Sequence, residues 1–528
     1  MAKTQKIFVR DATGLVRPIG PFASLMLGLQ IMSLGVTFYF VTTISGLWPG
    51  SYLPLAFLII LPFVVIHSIT SSLMTTALPR SGGSYVWASR AINPPLSFAS
   101  QGVITMYDAL LHGGFIQLII SGALATGLLS LGLSTGDSGL VNISSTFGQP
   151  VVQFVLGTLI MLVIAVVAIR GMGFSLSVQT VAYVVGMVGV VAAVLLVFGI
   201  TPTEFAAKFN AIFASQGGTA GITSAAAKAG YASAPFSLFA TFATMISVWW
   251  LLSGYEMQQF LGGEIKSVKK TMLIGTIGAC VIGCFLNAIF VVGLQNAMTP
   301  DLFNAASYLA ASGSWTLSVP FSGWFVAILF ASPAVAILLI AALALWLFAV
   351  VMAGVLWHSR AVMAWSWDRV IPTKFSDVSD KYHVPVWAIL LMVLVPEVGL
   401  VLSIYYGAVI LVINATLGWV LFYTLEGLAA AVFPKVQKSV FEASPIKYKI
   451  GSIPLISICG AITAFFFIWA GYMSFVAYPF VGGLNTSILE IYIGALIVFV
   501  VIYYASKGYH LKKDGIDIGL AFKQIPPE

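Results

Sequence analysis

The stretch "WWLLSGYEMQ" (residues 249–258) decides how this chain folds. It sits in one of the most apolar regions, yet it sets Ser253 and Gly254 side by side and follows them with a carboxylate, Glu256. An ionisable group at that depth is costly and faces a bundle interior or a water-filled cavity. Non-helical backbone inside a membrane is tolerated only where protein or a cavity surrounds it. The fragment therefore predicts a membrane helix interrupted at a cavity.

The surrounding sequence supports a membrane setting. Of 528 residues, 59% are hydrophobic and 8% charged, against about 25% charged in soluble domains. Apolar runs long enough to be transmembrane helices recur along the chain, and the alternation of barrel strands does not occur. Twelve candidate spans are expected: 19–46, 52–77, 96–130, 150–169, 173–199, 237–262, 271–296, 322–357, 384–404, 407–433, 452–478 and 487–506. Several exceed a single crossing, so tilt or kinks must absorb the excess.

With both termini placed in the cytoplasm, all but two of the 24 lysines and arginines fall on the inner side, from Lys3, Lys6 and Arg10 onward; Lys208 and Lys228 are the exceptions. That is a positive-inside pattern. The net charge of +7 then reads as cations facing anionic lipid, with no nucleic-acid partner. Residues 1–17 are polar and basic, so no cleavable signal is expected. Cys280, Cys284 and Cys459 all fall in spans and form no disulfide framework. The glycosylation-type triplets at Asn142 and Asn485 fall in expected outer loops; such triplets arise often by chance.

The expected organisation is a cytoplasmic N-terminal tail (1–18), five spans (19–199), an extracellular loop (200–236), five further spans (237–433), two more with a preceding cytoplasmic loop (434–506) and a cytoplasmic C-terminal tail (507–528). Small residues interrupt the first span of each half: "MLGLQIMSLGV" (26–36) and the opening fragment. Paired interruptions point to a transporter site built from broken helices; taken singly, each also reads as a small-residue packing stripe. An odd number of spans per half would make the repeat inverted.

Three segments carry a family resemblance. "PRSGGSYVWASRAINPPL" (79–96), "SGYEMQQFLGGEIKSVKK" (253–270) and "SRAVMAWSWDRVIPTKFSDVSDKYHVP" (359–385) occur in order on the expected inner face. They resemble the signatures of amino acid–polyamine–organocation permeases, and the similarity extends over nearly all twelve spans. The resemblance implies a five-plus-five inverted repeat of the leucine-transporter type with helices 1 and 6 broken, plus two extra helices, carrying amino acids by alternating access.

It also implies site residues. Ser33, Leu34 and Gly35 would line a carboxylate site; here the family's glycine-rich run is diluted, and Leu34 is bulky. Trp250 matches an aromatic gate of the arginine–agmatine members, an interfacial anchor being the other reading, and Leu251 through Ser253 to Gly254 would be unwound. His112 falls at a substrate-reaching position of span 3. Glu256 would help close the inner gate. Read from the residues alone, Asp108 and His112 are four apart and share a helix face. They are candidates for proton coupling, a structural pair being the other reading.

Residues 333–358 contain no serine or threonine, so the hydroxyl ligands of sodium-coupled relatives are absent. Gly186 stands where some proton-linked members place a lysine. Proton linkage or exchange is therefore expected, through Asp108, His112 or Glu256, with Glu426 ranked lower. His67 reads as a lone structural histidine and Glu397 as a packing or lipid-interface residue. Arg80, Glu264, Arg360, Asp368 and Arg369 would either form inner-face salt bridges or stay solvated. No catalytic motif, phosphate loop or Cys/His cluster stands out, and the five histidines are scattered at 67, 112, 358, 383 and 510. No cofactor or metal is expected. A channel or a membrane-embedded enzyme fits less well. The substrate reads as a neutral or broad α-amino acid, with a polyamine or other organocation second.

Overall fold

The computed structural model describes residues 12–407, 409–476 and 486–526. Lys3, Lys6, Arg10 and Asn485 lie outside the described residues. α1 (Pro21–Met32) and α2 (Leu34–Leu47) form one crossing interrupted at Ser33. α3 (Leu53–Ala77) and the short α4 (Ser84–Ala91) follow. α5 (Pro94–Leu118) then continues through a π-helical stretch, Ile119–Thr126, into α6 (Gly127–Thr135). Next come α7 (Ser138–Phe147), α8 (Pro150–Ile169), α9 (Met172–Phe198), α10 (Pro202–Ile212) and α11 (Gly218–Lys228).

α12 (Leu238–Ala243) and α13 (Met245–Leu252) lead into the second interruption. Beyond it lie α14 (Val268–Met298), α15 (Pro300–Ala311), α16 (Gly323–Phe330), α17 (Pro333–Trp367), α18 (Val386–Tyr406), α19 (Val409–Val436) and α20 (Lys438–Ala443). A two-stranded antiparallel hairpin, β1 (Lys449–Ile450) and β2 (Ile453–Pro454), precedes α21 (Leu455–Val476) and α22 (Thr486–Lys513).

Proline opens many of these helices. It occupies the first turn of α1, α3, α5, α8, α10, α15 and α17, where its missing N–H leaves no intrahelical bond unmade. Among the described residues, eleven helices are long and apolar enough to cross a membrane. The segment expected as the sixth crossing is instead divided into α12, α13 and the 3-10 turn Met257–Phe260, each too short to qualify alone. α8, α9 and α22 leave large apolar side chains bare, including Leu159, Val163, Val184, Leu195, Ile497 and Val501, as lipid contact requires. α5 and α18 touch backbone to backbone at Gly113 and Gly399, where any Cβ would overlap the opposite chain.

Three of the expected connections carry folded structure of their own. The segment 200–236 is not simply a loop. Thr201 and Glu204 form a reciprocal capping box on α10, and Phe205, Phe209 and Phe213, spaced four apart, bury one face beside Phe330 and Phe325. The Thr201 backbone N–H and hydroxyl hold the Glu204 carboxyl below its usual range.

The segment 507–528 is not a free tail. α22 runs on to Lys513, and the turn Ile518–Lys523 folds back to bury Ile518, Ala521 and Phe522. The Arg90 guanidinium lies over Phe522 and donates to the Gln524 carbonyl at 3.2 Å. The expected inner loop before α21 contains α20 and the hairpin rather than uninterrupted coil.

Four charges in the segments expected on the inner face are paired deep in protein. Arg360 donates from Nε and Nη2 to the two oxygens of Glu264, both at 2.8 Å, with both side chains fully buried. Asp368 takes Arg90 in the same bidentate way, at 2.9 and 2.7 Å. Removing one partner of such a pair costs about 3–5 kcal/mol because it strands the other charge.

Candidate functional site

Both interruptions follow from local chemistry. α1 ends because Ser33 adopts a left-handed conformation, φ 53°, a geometry that non-glycine residues seldom visit. Ser33 then caps α2, its hydroxyl oxygen accepting from the Val36 N–H at 3.4 Å. The second break starts later than expected. Leu251 and Leu252 remain helical, and Ser253 closes α13 with its hydroxyl on the Trp250 carbonyl at 2.7 Å. Gly254 turns the chain with φ 104°, and a Cβ there would lie 2.6 Å from Ile31 of α1. Glycine thus serves both the turn and the contact between the two breaks.

Between these breaks, α5, α17 and α19 enclose a cavity of about 50 Å³, room for a few water molecules. Ser33, Asp108, His112, Trp250, Leu251, Ser253 and Gly254 all line it, together with Phe115, Met257, Trp357 and Trp419. Leu34 and Gly35 do not. Leu34 is fully buried, and a Cβ on Gly35 would sit 2.6 Å from Trp346, whose ring lies behind the break. Residue 35 is small because a tryptophan packs on it. Glu256 also lies off the cavity wall.

A polar triad reaches the cavity wall through Asp108 and His112. His112 Nδ1 lies 2.5 Å from the Asp108 backbone carbonyl and 3.4 Å from the carboxylate oxygen Oδ2. His358 of α17 places Nε2 3.0 Å from the same Oδ2. Asp108 keeps 12% of its side chain exposed, whereas both histidines are buried. His358 corrects the reading of the histidines as scattered. The available signal was helical periodicity: Val350, Gly354 and His358 share one face, and Val350 reaches the cavity.

A second polar cluster lies behind the break of α13. His67 shares a 2.7 Å hydrogen bond with the Tyr255 hydroxyl and a 3.2 Å contact with Glu426 Oε1. Gln259 donates to Glu426 Oε2 at 3.2 Å, and the Tyr423 hydroxyl donates to Glu256. His67 is therefore not alone, and Glu426 is its partner. Glu397 receives the Thr158 hydroxyl between α8 and α18.

The amino acid permease family profile matches residues 19–503, nearly the whole chain. The chain belongs to the amino acid permease family. No curated protein matches it significantly. This permease is thus a multi-pass, helical membrane protein of a transporter family, and small-molecule transport is the family's work. The permease's cavity and its two broken helices are the features to which that work must be related.

Proposed function

We propose that this permease moves amino acids across the cell membrane by alternating access, with twelve crossings, both termini cytoplasmic, and an inverted repeat of residues 19–199 and 237–433 around the cavity. The observation that carries the reading is the cavity itself, set between two helix interruptions and lined by Ser33, Ser253 and Gly254. The N-terminus of α2 offers the positive end of its dipole to a substrate carboxylate, and the C-terminus of α13 offers carbonyls to an ammonium. Ser33 and Ser253–Gly254 form the backbone cradle. Trp250, edge-on to Phe40 at 5.9 Å, is the aromatic gate beside Leu251, and His112 reaches the substrate.

Sodium coupling is disfavoured by packing. Trp346 fills the space between Gly35 and Gly186, within 2.6 Å of a Cβ on either, and α17 brings no hydroxyl there. Exchange or proton linkage fits better, with Asp108 and His112 as the proton-holding pair and Glu256, held by Tyr423, steadying the gate below. A polyamine or other organocation is the second reading. It is favoured by the Asp108 carboxylate opening onto a cavity with Trp250, Trp357 and Trp419, since aromatic faces attract cations.

The test is uptake and counterflow of labelled amino acids and polyamines in proteoliposomes, with proton and sodium gradients imposed separately. Proton-driven uptake or counterexchange of an amino acid supports the proposal. Sodium-driven uptake overturns the coupling, unsaturable flux indicates a channel, and a chemically altered substrate indicates an enzyme.

A further inference from the structure

We propose that Asp108, His112 and His358 form a transition-metal site at the edge of the cavity, which Asp108 and His112 line. One donor atom from each lies within 4.8 Å of the other two. Two of the three edges are short: Asp108 Oδ2 is 3.0 Å from His358 Nε2 and 3.4 Å from His112 Nδ1. A tetrahedral zinc with N and O ligands at about 2.0–2.2 Å has ligand-to-ligand edges of about 3.3–3.6 Å. His112 turns its Nδ1 away from the Asp108 carbonyl, 2.5 Å distant, and presents it to the metal.

Spacing and surroundings agree with this use. Asp108 and His112 stand one helical turn apart, so α5 supplies two ligands from one face, and His358 closes the set from α17. Among the described residues that line the cavity, no lysine or arginine competes for the carboxylate. Asp108 is the ligand that remains partly exposed, which gives the ion an approach from the cavity and leaves a fourth position for water or a substrate atom. Two imidazoles with one carboxylate suit Zn²⁺, Co²⁺, Ni²⁺ or Cu²⁺ rather than Mg²⁺ or Ca²⁺.

An ion held there ties α5 to α17 and stops their relative movement, blocking flux. That consequence rests on the transporter reading; the binding itself does not.

The experiment titrates Zn²⁺ into the purified full chain in detergent against a chromophoric chelator, and follows Co²⁺ by its visible absorption. His510→Ala serves as the background, because His510 and Asp514, 2.6 Å apart near the surface, can hold an ion of their own. One Zn²⁺ per chain and tetrahedral Co²⁺ bands are expected. His358→Gln and Asp108→Asn should each weaken binding by more than the ~10–100-fold that loss of an outer-shell partner costs.

Absence of saturable binding overturns the site, as does binding that survives the substitutions. If His358→Gln is not recovered as a monodisperse protein, Asp108→Asn alone decides between the two outcomes. Zn²⁺ should also halt counterflow until a chelator is added. Binding without that block overturns the clamp and keeps the site, whereas intact binding with no flux under any condition counts against the transporter reading.

Discussion

The two buried polar clusters differ in one respect that separates support from function. Around His67 the partners are nearly complete: both ring nitrogens, both Glu426 oxygens and the Gln259 amide are engaged, and Glu256 Oε2 is the buried atom of this cluster left without a hydrogen bond. Around Asp108 they are not. His112 Nε2 and His358 Nδ1 are buried without a hydrogen-bond partner, and the carboxylate opens on the cavity. A largely satisfied network rigidifies the elements it joins, and here those are α3, the α13 break and α19. An unsatisfied one holds capacity for a proton, a substrate or an ion. The first cluster braces the break from behind, and the second faces what the break admits.

Substitutions can break this contrast. Glu426→Ala strands His67 and Gln259 in a dry site, so stability should fall by about 3–5 kcal/mol, read as a large drop in melting temperature in detergent. A small shift would mean that the cluster behind the break is wet and the contrast false. Gly254→Ala forces a side chain into a left-handed turn against Ile31, an expected cost of about 1–3 kcal/mol, and counterflow should fall with it. Full flux from that variant would remove the turn from the mechanism.

Asp108→Asn should act on flux more than on stability. Stability should fall by about 1–3 kcal/mol, less than for Glu426→Ala, because the amide keeps the volume of the buried carboxylate and loses only its charge-assisted bonds, while flux falls about tenfold or more. A fall in stability as large as that of Glu426→Ala would make the triad structural. His112→Ala should remove part of the pH dependence of uptake, and an unchanged pH profile would exclude His112 from coupling. The smallest effect is expected at Ser33→Gly. Relief of the left-handed strain offsets the lost cap, leaving stability within about 0.5 kcal/mol of the parent, and a larger fall in thermal melting would show that the Ser33 hydroxyl does more than cap α2.

Sequence and structure part either by small local amounts or over long distances. The motif places Leu251 in the second break, yet the break begins at Ser253, because a serine hydroxyl and a positive-φ glycine end α13 two residues later. Gly35 reads as cavity lining from its place beside Ser33. Its smallness instead accommodates Trp346, which lies more than three hundred residues further along the chain. Phe205, Phe209 and Phe213 carry a helical period inside a segment whose Ala, Gly and Ser content masks it.

The sequence by itself determined that the chain is a helical membrane protein, roughly where its long apolar helices run, that helix is interrupted near residues 33 and 253, and which family it joins. Those properties are written in apolar run length, in small or turn-forming residues and in short contiguous motifs, all of which act over a few residues. Only the tertiary structure decided that His358 meets Asp108, that His67 meets Glu426, and that Glu264 takes Arg360 while Asp368 takes Arg90. Each of those pairs joins different helices or connecting segments. Which side chains face one another there depends on how helices rotate and pack, and no local pattern carries that information.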